Sequence, residues 1–149
     1  MARPRRSSAV TAHGTTIELL PRRVLLDTQA WLWMQADDPR LGARARRLIQ
    51  QAAEVRLSAA SVWEIAIKTA IGKLTLPPDA DIEAELEHTG IRPLLIDFAH
   101  ANHVQRLPPL HRDPFDRLLV AQALVEELSM LSADTQLAAY GIAVIDARL

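Results

Sequence analysis

The feature that most constrains this chain is an alternation that runs along most of its length. Short apolar runs are each followed by a longer segment of helical character. The runs fall at residues 24–26, 55–60, 91–97, 129–134 and 141–146. They are apolar almost throughout, without the strict in–out pattern of a half-exposed strand, which is the signature of strands buried on both faces. Between them lie segments of helical type: "TQAWLWMQ", "DPRLGARARRLIQQA" read as opening at Pro39, "SVWEIAIKTAIGKL" closed by Gly72, "DADIEAELEHTG" closed by Gly90, "FAHANHVQRL", the long "PFDRLLVAQALVEEL" and a short piece at residues 135–140. Strands alternating with helices predict an α/β fold, with a central parallel five-stranded sheet covered by helices on both faces.

At 149 residues the chain is expected to form one domain with a sizeable core. Residues 1–22 are set apart as a basic, mostly disordered tail with one short strand near residues 16–20, and residues 23–149 as the folded domain. Residues 1–23 hold five Arg and one Glu, which leaves 12 basic and 17 acidic residues in the rest. A mildly acidic body is not a nucleic-acid-binding surface by charge alone. The absence of cysteine excludes disulfides, thiol nucleophiles and thiolate metal sites, and fits a reducing, cytoplasmic setting. No apolar run is long enough to span a membrane and no secretory leader is expected. GxGxxG and Walker A patterns are absent, which removes the main support for dinucleotide or P-loop chemistry.

In an open parallel sheet, ligands bind at the carboxyl ends of the strands. Four acids map to that edge. Asp27 follows the first apolar run. Glu64 lies in about the first helical turn after the second. Asp116 opens the long helix, and Asp134 follows the fourth run. Each has a structural explanation. Asp27 and Asp134 suit helix N-caps, as does Asp113 before Pro114. Glu64 and Lys68 are a favourable i,i+4 ion pair, and Asp116 suits the positive end of its helix. The functional explanation is that the four converge. Clustered carboxylates repel one another, and a divalent cation such as Mg²⁺ relieves that with oxygen ligands. A paired-histidine zinc motif such as HExxH is absent. His111 could shuttle a proton and Arg112 or Arg117 could hold a phosphate. Trp31, Trp33 and Trp63 read as core or interface residues, and His88, His100 and His103 as ordinary helix residues.

The blocks "LLDTQAWLW", "SAASVWEIAIKTAIGKL", "HRDPFDRLLVAQAL" and "LSADTQLAAYGIAVID" resemble, in order and spacing, the PIN-domain ribonucleases. Within them the VapC-like toxins of bacterial type II toxin–antitoxin systems are the most similar group. The resemblance spans residues 24–146. It implies a three-layer α/β/α sandwich and a Mg²⁺- or Mn²⁺-dependent endoribonuclease. It also implies an RNA substrate, a VapB-like antitoxin partner and a homodimer. It carries the family's four acids onto Asp27, Glu64, Asp116 and Asp134. Asp27, Asp116 and Glu64 hold the metal, and Asp134 supports it or a second ion. Thr28 and Ser132 correspond to the small hydroxyl residues that flank the acids; Asp113 keeps its reading as a cap, with an outer role at the site as the alternative. The chain departs from the pattern in its tail and at Ala133, where relatives often carry a basic residue. The alternative kept open is the same fold with a weakened site, used to bind RNA or a protein. A receiver-like or haloacid-type phosphatase is disfavoured, since "LLDTQAW" lacks the second Asp two residues on.

Overall fold

In a computed structural model, residues 9–12, 15–18 and 21–149 are described. Two strands, β1 (Ala9–Ala12) and β2 (Thr15–Glu18), pair as an antiparallel hairpin. The strand expected near residues 16–20 overlaps β2. The rest of residues 1–20, including the remainder of the tail, lies outside the described residues.

The domain proper begins with β3 (Arg23–Leu26), the middle strand of a five-stranded sheet. It is followed by α1 (Thr28–Gln35), α2 (Ala43–Gln51), β4 (Glu54–Ser58), α3 (Ala59–Ala70), α4 (Ile82–Thr89) and β5 (Arg92–Leu94). Next come α5 (Phe98–His103), α6 (Pro114–Glu126), β6 (Ser129–Ser132) and β7 (Val144–Asp146), with 3₁₀ turns at Val104–Arg106 and Thr135–Tyr140. The strand order is β5-β4-β3-β6-β7 and every neighbouring pair is parallel. The expected α/β sheet is thus present, with all five strands.

Both faces of β3 are buried, and successive residues feed different cores. Val24 and Leu26 join Trp31, Leu41, Leu48, Val55, Leu57 and Leu86, so α1, α2 and α4 cover one face. Leu25 joins Leu119, Val120, Ala123, Met130 and Tyr140, so α6 covers the other. This is why the strands read as continuous apolar runs: each side of the pleat has its own helical layer.

Several boundaries differ from the sequence reading, two of them for a plain local reason. The helix expected from Pro39 starts at Ala43, because Asp38 draws the backbone N–H of Arg40 into a tight turn at 2.9 Å. Gly42 then serves as N-cap, where a Cβ would lie 2.2 Å from the backbone of Leu149. The second run ends as strand at Ser58, whose hydroxyl accepts from Ala60 N–H and starts α3 early. The third, fourth and fifth runs are strand only over Arg92–Leu94, Ser129–Ser132 and Val144–Asp146.

Candidate metal centre

From β3 the chain winds outward through β4 to β5 on one side, then crosses back to place β6 and β7 on the other side of β3. That makes the carboxyl end of β3 a topological switch point, the usual crevice for a ligand in such sheets. Asp27 stands there. Its N–H donates to Leu131 O at 3.0 Å, continuing the ladder to β6, and its Oδ1 accepts from Ala30 N–H at 2.7 Å, capping α1. Its other oxygen accepts from the Ser132 hydroxyl at 2.5 Å. The Asp27 side chain is buried, and among the described residues no Lys, Arg or His forms an ion pair with it.

The other acids arrive from three further segments. Glu64 sits in the second turn of α3 rather than the first, buried, and pairs with Lys68 at 2.9 Å as the i,i+4 spacing predicts. Asp116 is at the third position of α6, behind the Asp113 cap and Pro114. Asp113 Oδ1 accepts from the N–H groups of Phe115 and Asp116 at 2.8 and 3.4 Å. Asp134 follows β6 and caps the turn Thr135–Tyr140 by accepting from Gln136 N–H. The loop before α6 brings that helix start to the same edge as the strand ends, which the sequence could only require of it.

The acids feel one another. Burial raises the Asp27 carboxyl above its ordinary value against the pull of the Ser132 and Ala30 hydrogen bonds, and the charges of Glu64 and Asp134 add to the rise. Burial also pushes Asp116 up to about 6, with Asp113, Asp27 and Glu64 raising it and His111 opposing. Four carboxylates from four separate segments therefore share one field.

His111 is the member that the acid pattern did not contain. Its Nε2 lies 3.2 Å from Asp134 and 3.5 Å from Asp116. Its Nδ1 accepts the N–H of Asp113 at 3.1 Å, which leaves the ring proton of the neutral form on Nε2, facing the acids. Ligand atoms of His111, Asp116 and Asp134 all lie within 4.8 Å of one another. The signal was the position of His111 two residues before a helix cap, where its ring can fold back on the turn.

The auxiliary residues separate. Ser132 is in direct contact with Asp27, and its Oγ also accepts from Asp134 N–H at 3.0 Å, so one hydroxyl ties two of the acids. Thr28 is buried and donates to Ser61 Oγ at 3.0 Å, joining α1 to α3. Arg112 lines a groove beside Glu64. Arg117 is turned to the carbonyls of Val104, Leu107 and Pro108 and to Tyr140, so its guanidinium holds the preceding loop.

The donor set fits a hard divalent cation. It is all oxygen apart from one imidazole, and it contains a buried carboxylate with no ion-paired cation.

With this geometry in view, a family comparison is decisive: the model of the PIN domain matches residues 24–143. The chain belongs to the PIN domain family. Ribonuclease VapC16 of Mycobacterium tuberculosis (strain ATCC 25618 / H37Rv) is 42% identical over 72 residues, covering 44% of this chain and 51% of the relative. The chain thus spans about half the length of that curated relative. Solved PIN-fold structures superpose over most of it. VapBC2 from Rickettsia felis, bound to a DNA fragment from their promoter, has a TM-score of 0.64 at 10% identity, covering 83% of this chain and 97% of the other. DNA-bound VapBC from Salmonella typhimurium has a TM-score of 0.63 at 15% identity, covering 86% and 98%. These likenesses show the fold. No described helix of this PIN domain is long and apolar enough to cross a membrane.

Proposed function

We propose that the protein is a metal-dependent endoribonuclease, the toxin of a type II toxin–antitoxin pair. The observation that carries the nuclease reading is the buried, cation-poor Asp27 at the switch point, joined in one field by Glu64, Asp116 and Asp134. Asp27, Glu64 and Asp116 would hold Mg²⁺ or Mn²⁺, with Asp134 supporting it. When bound, such an ion supplies Lewis-acid stabilisation of a phosphodiester and acidifies water.

The chain's own groups divide the remaining work. Ser132 fixes one oxygen of Asp27 and Ala30 N–H the other, so the carboxylate is oriented before any ligand arrives. Lys68 holds Glu64 in place. His111 turns its Nε2–H toward Asp116 and Asp134, where it can donate a hydrogen bond to a carboxylate or to a phosphate oxygen.

The likeness to VapC16 and to VapBC complexes supports RNA as substrate and an antitoxin as partner. Such a toxin would act in the cytoplasm. A homodimer is supported by the turn from β5 into α5, where Leu95 and Phe98 are 73% and 96% exposed. The deciding experiment is cleavage of total bacterial RNA with Mg²⁺ or Mn²⁺. Wild type should cleave, and Asp27→Asn and Asp116→Asn should not. Cleavage that survives both substitutions, or that persists in excess EDTA, would sink the mechanism.

A further inference from the structure

Next to the acids lies a groove of about 430 Å³ that shares Glu64 and Lys68 with the centre and extends beyond it. One wall is the second half of α3 and the turn after it, carrying Ile67, Ile71 and Lys73. The opposite wall is the start of α6 and the residue before its cap, carrying Phe115 and Arg112. Its inner end is Glu64 itself, so groove and acid cluster are continuous.

Three observations define its chemistry. The floor is apolar and open: Ile67 and Ile71 stay 37% and 60% exposed one helical turn apart. The rim is basic. Lys68 is engaged by Glu64, but Lys73 and Arg112 form no ion pair among the described residues. Asp113 also lines the groove, with one oxygen turned to the N–H groups of α6. Lastly, Phe115 of the lining has an aromatic neighbour in Trp63, which of its two readings, core or interface, is not core. Trp63 is 58% exposed, and its ring meets Phe115 edge-on with centroids 5.2 Å apart. Trp31 and Trp33, by contrast, are buried.

Unpaired cations above an apolar and aromatic floor are what a single strand of nucleic acid asks for. Phosphates take the cations and bases lie on the floor, with little regard to sequence. Resting on the ribonuclease reading, we infer that this groove seats the single-stranded RNA segment flanking the cleaved phosphate. Lys73 and Arg112 hold backbone phosphates, and a base lies against Ile71 and Phe115. Continuity through Glu64 favours RNA over a peptide, because a strand with its phosphodiester at the acids must leave along one of the walls that meet them.

The test compares Lys73→Ala/Arg112→Ala with Arg47→Ala/Arg92→Ala, which removes the same charge from exposed positions elsewhere. Binding of a fluorescein-labelled unstructured 12-nucleotide RNA is measured by anisotropy in an Asp116→Asn background, and cleavage of total bacterial RNA is followed in the wild-type background. The groove variant should lose about tenfold in affinity, and its log–log salt slope should fall by about 1.4, the share of two phosphate contacts on a single strand. The control should keep both the affinity and the slope of the parent. If wild type cleaves RNA but groove and control variants bind alike, the inference fails while the ribonuclease reading stands. If wild type cleaves no RNA with either metal, that reading fails first and takes the groove with it. Unchanged RNA binding together with weakened inhibition by the cognate antitoxin would overturn the proposal in favour of a protein-binding groove.

Discussion

Two acid–histidine–acid groups in this molecule could each offer three metal-ligand atoms: His111, Asp116 and Asp134 at the strand ends, and Asp97, His100 and Glu126 where α5 meets α6. In the second, everything is answered. His100 is buried; its Nδ1 accepts from Asp97 N–H at 3.1 Å, and its Nε2 meets Glu126 at 2.7 Å. Asp97 returns a bond to His100 N–H, closing a capping box on α5. In the first group, Asp116 shares its field with Asp113, Asp27 and Glu64, and one imidazole opposes them. The lesson is that ligand atoms at the right separation do not make a metal site. An excess of oriented negative charge is what would call for a cation.

The comparison breaks most visibly through catalysis. Asp27→Asn should lower the RNA cleavage rate by at least ~10²-fold, while Glu126→Gln should leave turnover per folded molecule within about twofold, both read with one RNA substrate. Equal losses would erase the distinction between the groups.

Stability should sort them the other way. His100→Ala removes a buried ring and strands Asp97 N–H and Glu126, and should cost about 2–4 kcal/mol in urea unfolding. His111→Ala, on a partly exposed ring, should cost under ~1 kcal/mol.

The pH dependence gives a finer separation. The Asp116 carboxyl keeps its proton to about pH 6 in the folded state, whereas unfolded it ionises from its ordinary value of 3.8. The unfolded state is thus favoured as pH rises through that window, and this group's penalty is complete above about pH 6. Metal-free protein at pH 7.5 should melt at a higher temperature as Asp116→Asn than as wild type. Mn²⁺ should raise the wild-type midpoint at pH 7.5 more than at pH 4.5. Scanning calorimetry that shows the reverse order would contradict the crowded-charge account.

The smallest effect concerns the cap. Asp113→Ser keeps a capping oxygen and removes a charge that raises Asp116. Stability should change by less than about 0.5 kcal/mol, and Asp116 should titrate lower by NMR.

Much of this was legible in the sequence, because periodicity and caps are local. Apolar runs of 24–26 and 129–134 had to be strands buried on both faces, and Asp27, Asp113 and Asp134 cap the segments they precede. The capping and metal-holding readings of Asp27 and Asp134 were posed as alternatives, yet they are compatible: each carboxylate caps with one oxygen, and its second oxygen meets a side chain, Ser132 or His111. What escaped was set by tertiary packing. His100 looked like any helix residue until Glu126, 26 positions on, met its ring. Trp63 could be read from its helix as core or as interface, and only packing decides that it is exposed. The proton on His111 depends on one backbone N–H that no pattern encodes.

The hydrogen bond from Ser132 to Asp27 joins residues 105 positions apart. At the pace of translation, about 5–20 residues per second, the later residue is made between about 5 and 20 s after the earlier one. During that interval β3 has no β6 beside it, and Asp27 has neither its oriented oxygen nor Asp116 and Asp134 for company. The acid cluster therefore cannot assemble around Asp27 before the segment that carries Ser132 and Asp134 has been made.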